Sequence, residues 1–391
     1  MDQADIAVIG GGLIGCATAY YLARGGARVT LLERGELNRE ASGQNAGSLH
    51  FQLEFRMIEQ GERTAEQFAL SIPLCLDARS VWRRLEAELA TPIGAHLAGG
   101  LMVAETADEL ESLRRKSMLE NRDGLDTRVL DADEVRTIAP YLSRAVCGAC
   151  WCPSEGHANP RLVAPAFARA AESAGTTIRV RTPVVGLNRK HASWQVETAS
   201  GAPLEAQALV VAAGIWSGEV TALAGAPLPL VPHPLTIFAT AVTKPLVTHL
   251  IQHAGQRLSL KQTAEGNLLV GGGWPSRLAE RDGHRELSSR PTVRFDSVAG
   301  SASIATRIVP ALAALAAIRI WTGIAAATDD NVPILGELPG RPGLYVATAG
   351  SGFTLGPTFA RLIAEQILDG RSSLPISAYS PARFGRVAAR W

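Results

Sequence analysis

The stretch "DIAVIGGGLIGCATAYYLARGGARVTLLERG", residues 5–35, decides the fold. "IAVIG" is a short apolar run of the kind a parallel strand needs when both faces are buried. Gly10-Gly11-Gly12-Leu13-Ile14-Gly15 follows and fits G-x-G-x-x-G. Helical spacing runs on to Leu22, the Gly25-Gly26 pair breaks it, and "RVTLLE" makes a second strand ending on Glu33. In such a unit Gly10 permits the tight turn, Gly12 lets backbone approach a pyrophosphate, and Gly15 lets the helix pack closely on the strand. The amides and dipole of a helix start at Leu13 and Ile14 favour phosphate charge. Glu33, about twenty residues on and followed by Arg34, suits a ribose hydroxyl pair. Strand, glycines, helix, second strand and acid agree on a dinucleotide-binding βαβ unit. An acid at Glu33, with no arginine in its place, favours FAD or NAD over NADP.

The totals bound the rest. At 391 residues the chain is long for one core and comfortable for two lobes. Hydrophobic residues at 47% and charged residues at 19% exclude the disordered class. A net charge of +1 without a basic run argues against nucleic acid. Five cysteines, an odd count, make no disulfide framework. The longest apolar run, "IVPALAALAAI" at 308–318, is too short to span a bilayer. No leader-like segment precedes the first strand. The expectation is a cytoplasmic, soluble protein with no transmembrane segment, any membrane association being peripheral and through partners.

Three further segments choose between the cofactors: "ASGQNAGSLH" (41–50), "ALVVAAGIWS" (208–217) and "GLYVATAGSGFTLGPTFARLIAEQI" (343–367). With the N-terminal unit they resemble the FAD-dependent D-amino-acid oxidase (DAO) family over essentially the whole chain. That family includes glycine oxidase, sarcosine oxidases and the catalytic subunits of heteromeric opine and D-hydroxyproline dehydrogenases. The resemblance implies an α/β fold like that of glutathione reductase, with a Rossmann-type FAD-binding domain and an antiparallel-sheet α+β substrate domain. The FAD domain is expected at 1–85, 145–220 and 320–391, interrupted by substrate-domain segments at 86–144 and 221–319.

The resemblance also assigns residues to non-covalently bound FAD. Ser42, Asn45, Ala46, Gly47 and Ser48 belong to the segment that wraps the pyrophosphate and reaches the flavin. Val184 and Val185 match the adenine-holding position. Ala213, Gly214 and Trp216 lie at the carboxyl edge of a buried strand. Gly350, Ser351, Gly352 and Phe353 face the flavin pyrimidine ring. His50 and Thr354 are the catalytic candidates. The expected chemistry is hydride transfer from the carbon beside an amine, with hydrolysis of the imine and no dedicated protein base. Partner subunits carrying further redox centres are implied. A stand-alone glycine, sarcosine or D-amino-acid oxidase, a nicotinamide dehydrogenase, and a subunit holding FAD for structural reasons alone stay open as rivals.

The middle of the chain breaks period. "GGLMVAET" (99–106) reads as a strand, "DELESLRRKSMLENRDG" (108–124) as an exposed charged helix, and "RLSLKQTAEGNLLVGGGW" as two strands around the Glu265-Gly266 turn. Gly271–Gly273 read as a strand end. Cys147, Cys150 and Cys152 lie close together, but three ligands on an alternating strand make a poor metal site, and no metal is expected. His157 reads as structural, and His233 as a strand-edge residue.

"WTGIAAATDDNVPILG" (321–336) is similar to a family segment patterned Trp-x-Gly-x-Arg-Pro-x-Thr-x-Asp-Gly-x-Pro-x-x-Gly. Trp321, Gly323, Thr328, Asp330, Pro333 and Gly336 match, and Gly323 is counted with the cofactor set. Asn331 replaces the glycine. The arginine that holds the substrate carboxylate in glycine oxidase-like members falls on Ala325. Its loss implies a different grip, through His50, Arg56 or hydroxyls, and a substrate such as an opine or a cyclic imino acid. Asp329 and Asp330 read as a turn, since adjacent side chains of an extended segment point apart.

Overall fold

The computed structural model describes residues 2–54, 62–201 and 203–385. Arg56 lies outside them. The opening stretch folds as its pattern demands: strand Asp2–Ile9, helix Leu13–Arg24, strand Val29–Leu32. Ala7, Val8, Leu31 and Leu32 are at most 1% exposed, which is why both strands are continuous apolar runs. They are interior to an eight-stranded sheet whose main path runs Ile334–Glu337, Leu344–Thr348, Leu204–Val211, Asp2–Ile9, Val29–Leu32, Thr177–Arg179. Every pair on that path is parallel except the first. A hairpin of Val184–Lys190 and Ser193–Thr198 joins antiparallel to the Leu204–Val211 strand. Helix Leu13–Arg24 packs between Pro160–Ser173 and Gly356–Asp369, and their apolar faces form one core cluster.

A second eight-stranded sheet runs Ala317–Ala327, Val231–Val242, Asn267–Gly271, Ser259–Gln262, Leu250–His253, Gly100–Ala104, Gly148–Cys152, Arg128–Asp131. It is antiparallel apart from one parallel pair, Leu250–His253 with Gly100–Ala104. Strand pairing therefore draws Gly148–Cys152 and Ala317–Ala327 into this sheet, although the expected boundaries at 145 and 320 fall elsewhere. The first extends the Gly100–Ala104 ladder and the second that of Val231–Val242, a register that their apolar runs alone do not reveal.

One expectation fails clearly. The charged helix, Ala107–Arg122, is not exposed all round: Lys116 and Glu120 have fully buried side chains, 2.8 Å apart. Lys116 also donates to Gln52 Oε1, and Glu120 accepts from the Leu53 amide and the Thr127 hydroxyl. Gln52 and Leu53 lie far away in sequence, so the local pattern could not show the burial. Among the described residues no helix is long and apolar enough to cross a membrane.

Candidate active site

Two neighbouring regions hold the expected site residues. The first is the carboxyl edge of the parallel sheet. Gly10 has φ +116° there, and a Cβ on it would meet the Ala212 carbonyl at 2.5 Å. A Cβ on Gly15 would fall 1.8 Å from the Gly10 carbonyl oxygen, so helix and turn touch through bare backbone. The helix starts after Gly12 without a capping side chain of its own. Ser42 caps it from a distance, its Oγ accepting from the Leu13 amide at 2.9 Å.

Glu33 follows the second strand, with its Oε2 accepting from the Gly11 amide and its Oε1 from the Gly35 amide, both at 2.7 Å. Each carboxylate oxygen retains a lone pair for a further donor. Arg34 lies 3.8 Å over the Trp216 ring. Val184 and Ala213 pack on the same core cluster as Ile9 and Leu32, while Val185 is 53% exposed. Gly214 has φ +57° and accepts at its carbonyl from Thr348 Oγ1.

The second region is a cavity of about 540 Å³ between the sheets. Asn45, Ala46, Gly47, Ser48, His50, Gly323, Gly350, Ser351, Gly352, Phe353 and Thr354 all line it. Asn45 shapes its segment by donating to the Ala41 and Ser42 carbonyls and accepting from the Gly47 amide. Gly47, at φ +79°, lies against the Ala158 carbonyl, where a Cβ would come within 2.1 Å. The buried Thr354 hydroxyl donates to the Ser48 carbonyl at 3.3 Å and so ties the two small-residue segments together. The regions join where Gly352 and Gly356 pack on Leu13 and Ile14.

His50 is half-buried, with Nε2 3.1 Å from Ser259 Oγ, which is itself 3.1 Å from Ser48 Oγ. Behind Ser48, Lys261 is fully buried and donates to the Ala46 carbonyl. Burial holds its ammonium well below the usual lysine range. His157 pairs with Ser48 in a short two-stranded ladder and does not line the cavity. Burial, then the charges of Lys261 and His96, hold the His157 imidazole down at about 3.

His233 reaches the cavity, which its sequence did not suggest. Its strand, Val231–Val242, is a long one, His233 lies in register with Ala325, and both line the cavity. The proline flanks fit the strand edge expected of them, because this stretch pairs mainly on one side.

"TDDNVP" forms a turn. Thr328 Oγ1 donates to the Val332 carbonyl, Asn331 adopts φ +56°, and Asp330 accepts from the Val332 amide. Asp330 is paired with Arg383 at 2.7 Å. Burial alone would raise its carboxyl, but hydrogen bonds from Arg383, Thr328 and Val332 hold it below the usual range. Among the described residues no cluster of three or more His, Cys, Asp or Glu is placed to hold a metal.

The residues present fit FAD. A carboxylate with spare lone pairs, a capped helix start and glycines with no room for a Cβ form one edge. They adjoin a cavity floored by two further small-residue turns.

Comparison with known proteins agrees. Residues 5–366 match the family described as FAD dependent oxidoreductase (DAO). Glycine oxidase from Geobacillus kaustophilus (strain HTA426) is 27% identical over 395 residues, covering 97% of each chain. An opine oxidase subunit from Agrobacterium tumefaciens (strain Ach5) is 27% identical over 398 residues, covering 98% of each. Among solved structures, L-proline dehydrogenase from P. horikoshii superposes with a TM-score of 0.85 at 25% identity, covering 98% of each chain.

Proposed function

We propose, proceeding from the fact that this chain belongs to the DAO family of FAD dependent oxidoreductases, that it oxidises the C–N bond of an amino acid or secondary amine. The product is an imine that water hydrolyses. The narrower reading is an opine or D-imino acid as substrate, with the chain acting as catalytic subunit of a hetero-oligomeric dehydrogenase in the cytoplasm. Its likeness to the opine oxidase subunit supports that role. Family membership sets the nicotinamide alternative aside.

The observation that carries the substrate reading is the cavity wall at Ala325. It offers a methyl group opposite His233, so among the described residues this part of the wall presents no guanidinium to a carboxylate. Glycine has little besides its carboxylate to be held by, and a bidentate charged contact is the strongest device for that. A larger amine has other handles.

Bound FAD would accept hydride from the substrate carbon. Gly10, Gly12, Leu13, Ile14 and Gly15 would hold its pyrophosphate with Ser42, Asn45, Ala46, Gly47 and Ser48. Glu33 would take its ribose, with Arg34 and Trp216 alongside and Val184 and Val185 at the adenine. Ala213, Gly214, Gly323 and Gly350–Phe353 would line its flavin end without covalent attachment. The remaining work belongs to side chains that orient substrate and exclude water. Ser259 fixes the His50 ring beside the substrate, and Thr354 keeps the turn that carries it locked to Ser48.

Anaerobic addition of amines to the flavoprotein tests this reading. Opines or D-hydroxyproline are expected to bleach the flavin faster than sarcosine or glycine. Preferred reduction by glycine would sink the narrower assignment, and reduction by no amine would sink the broader one. Co-purified subunits bearing an iron–sulfur cluster or a second flavin would be the mark of the hetero-oligomer.

A further inference from the structure

The cavity wall formed by the second sheet carries a buried hydrogen-bond donor that has no partner among the described residues. Gln252, in the strand Leu250–His253, lines the cavity, is 4% exposed, and has an Nε2 with no partner among the described residues. Leaving a buried amide donor unsatisfied costs about 1–3 kcal/mol. A buried orphan donor on a residue that lines a cavity calls for an acceptor that arrives with a ligand. Directly across the ladder from Gln252 stands Ser259, the residue that holds His50. Residues paired in this way share a sheet face, so the orphan amide and the His50–Ser259 pair serve the same end of the cavity.

Arg257 follows on the connection to the Ser259–Gln262 strand. It is exposed, lines the cavity rim, and forms no ion pair among the described residues. Ala325 and Ala326 line the cavity with methyl groups only. Among the described residues that line the cavity, the guanidinium therefore comes from the Gln252–Arg257 side. We infer that Gln252 donates to the substrate carboxylate, and that Arg257 takes a second carboxylate at the rim. The substrate class that satisfies both is a dicarboxylic secondary amine. A neutral amide orients a carboxylate without neutralising it, so the charged contact at the rim is what selects for two acids over one. The amine in this class rests on the oxidation reading above, whereas the grip does not.

The test uses the FAD-loaded enzyme and two unreactive thioethers in which sulfur replaces the amine nitrogen: thiodiacetate, with two carboxylates, and (methylthio)acetate, with one. Dissociation constants are read by calorimetry. Gln252→Leu is expected to weaken both ligands about tenfold, the loss of one hydrogen bond to a charged group. It should also raise the ligand-free melting temperature, because the orphan donor is gone. Arg257→Met is expected to weaken thiodiacetate alone, by about fivefold. Gln252→Met, unbranched and apolar, repeats the measurement if leucine disturbs flavin loading. Unchanged affinity in either Gln252 variant with full flavin absorbance overturns the proposal, as does a wild-type enzyme that binds neither thioether. A wild-type enzyme that binds thiodiacetate as expected, yet whose flavin no amine bleaches, leaves the grip standing and removes the oxidation reading.

Discussion

The two ends of the site are built from different material. At the Gly10–Glu33 end the surfaces are backbone: carbonyls against glycines, amides on a carboxylate, and a helix start capped by one hydroxyl. At the far wall they are side chains, namely His50 on Ser259, His233 opposite Ala325, and Gln252 with no partner for its amide donor among the described residues. A backbone surface admits no additional atoms, so it is rigid and intolerant. A side-chain surface changes its chemistry with each substitution while its strands stay where they are. The contrast explains how one architecture keeps a single cofactor while its substrates vary.

The contrast can be broken at either end. Gly15→Val should have the largest effect, since its first added carbon meets the Gly10 carbonyl. A destabilisation of about 3 kcal/mol or more is expected, with purified protein lacking the flavin absorbance. Ala325→Arg should keep its flavin and lose turnover of the natural substrate, with kcat/KM falling at least about tenfold, or about 1.4 kcal/mol. Unchanged turnover would mean that Ala325 does not meet substrate.

His157 tests the packing behind Ser48. It is held neutral in the fold, down to about 3 against an ordinary value of 6.5. The unfolded chain therefore binds the extra proton between those values, and the stability contributed by neutral His157 is lost as pH falls from about 6.5 towards about 3. Urea titrations across that range should show His157→Phe declining less steeply than wild type. Asp330→Asn should have the smallest effect. It removes an ion pair whose side chains are 18% and 24% exposed, so about 1 kcal/mol or less of stability is expected with kcat unchanged. A large fall in kcat would make the "DD" pair catalytic after all.

How much of this was written in the linear sequence follows the same division. Backbone surfaces leave glycine at fixed offsets, so the βαβ unit was legible, and the resemblance to the DAO family supplied the FAD assignment and the turn at Gly350–Phe353. The left-handed backbone at Asn331 was not read from the sequence, although a position that takes glycine in relatives accepts asparagine. The far wall was not legible. Gln252 belongs to no motif, and its importance appears only when Ser259 lies opposite it. Lys116 and Glu120 read as solvated charges because Gln52 and the Leu53 amide, which receive them, are contributed by another part of the chain. Glu155 was passed over within "PSEGH" for the same reason. It is fully buried, accepting the Phe51 and Gln52 amides and the Gln52 side chain. Burial pushes its carboxyl up to about 7 against those donors. Cross-strand pairing is a fact about topology, and single-chain periodicity does not carry it.

The bond from Thr354 to Ser48 closes a loop of 306 residues, and Trp82 joins it by donating to the Thr354 carbonyl. During synthesis the glycine-rich βαβ unit emerges from the ribosome early and can form from local contacts. The cavity cannot close until the Gly350–Thr354 turn has followed nearly the whole chain out. Closure of the cavity is thereby deferred until 306 residues after Ser48 have emerged, whereas Gly10–Gly15 and Glu33 are among the first residues made.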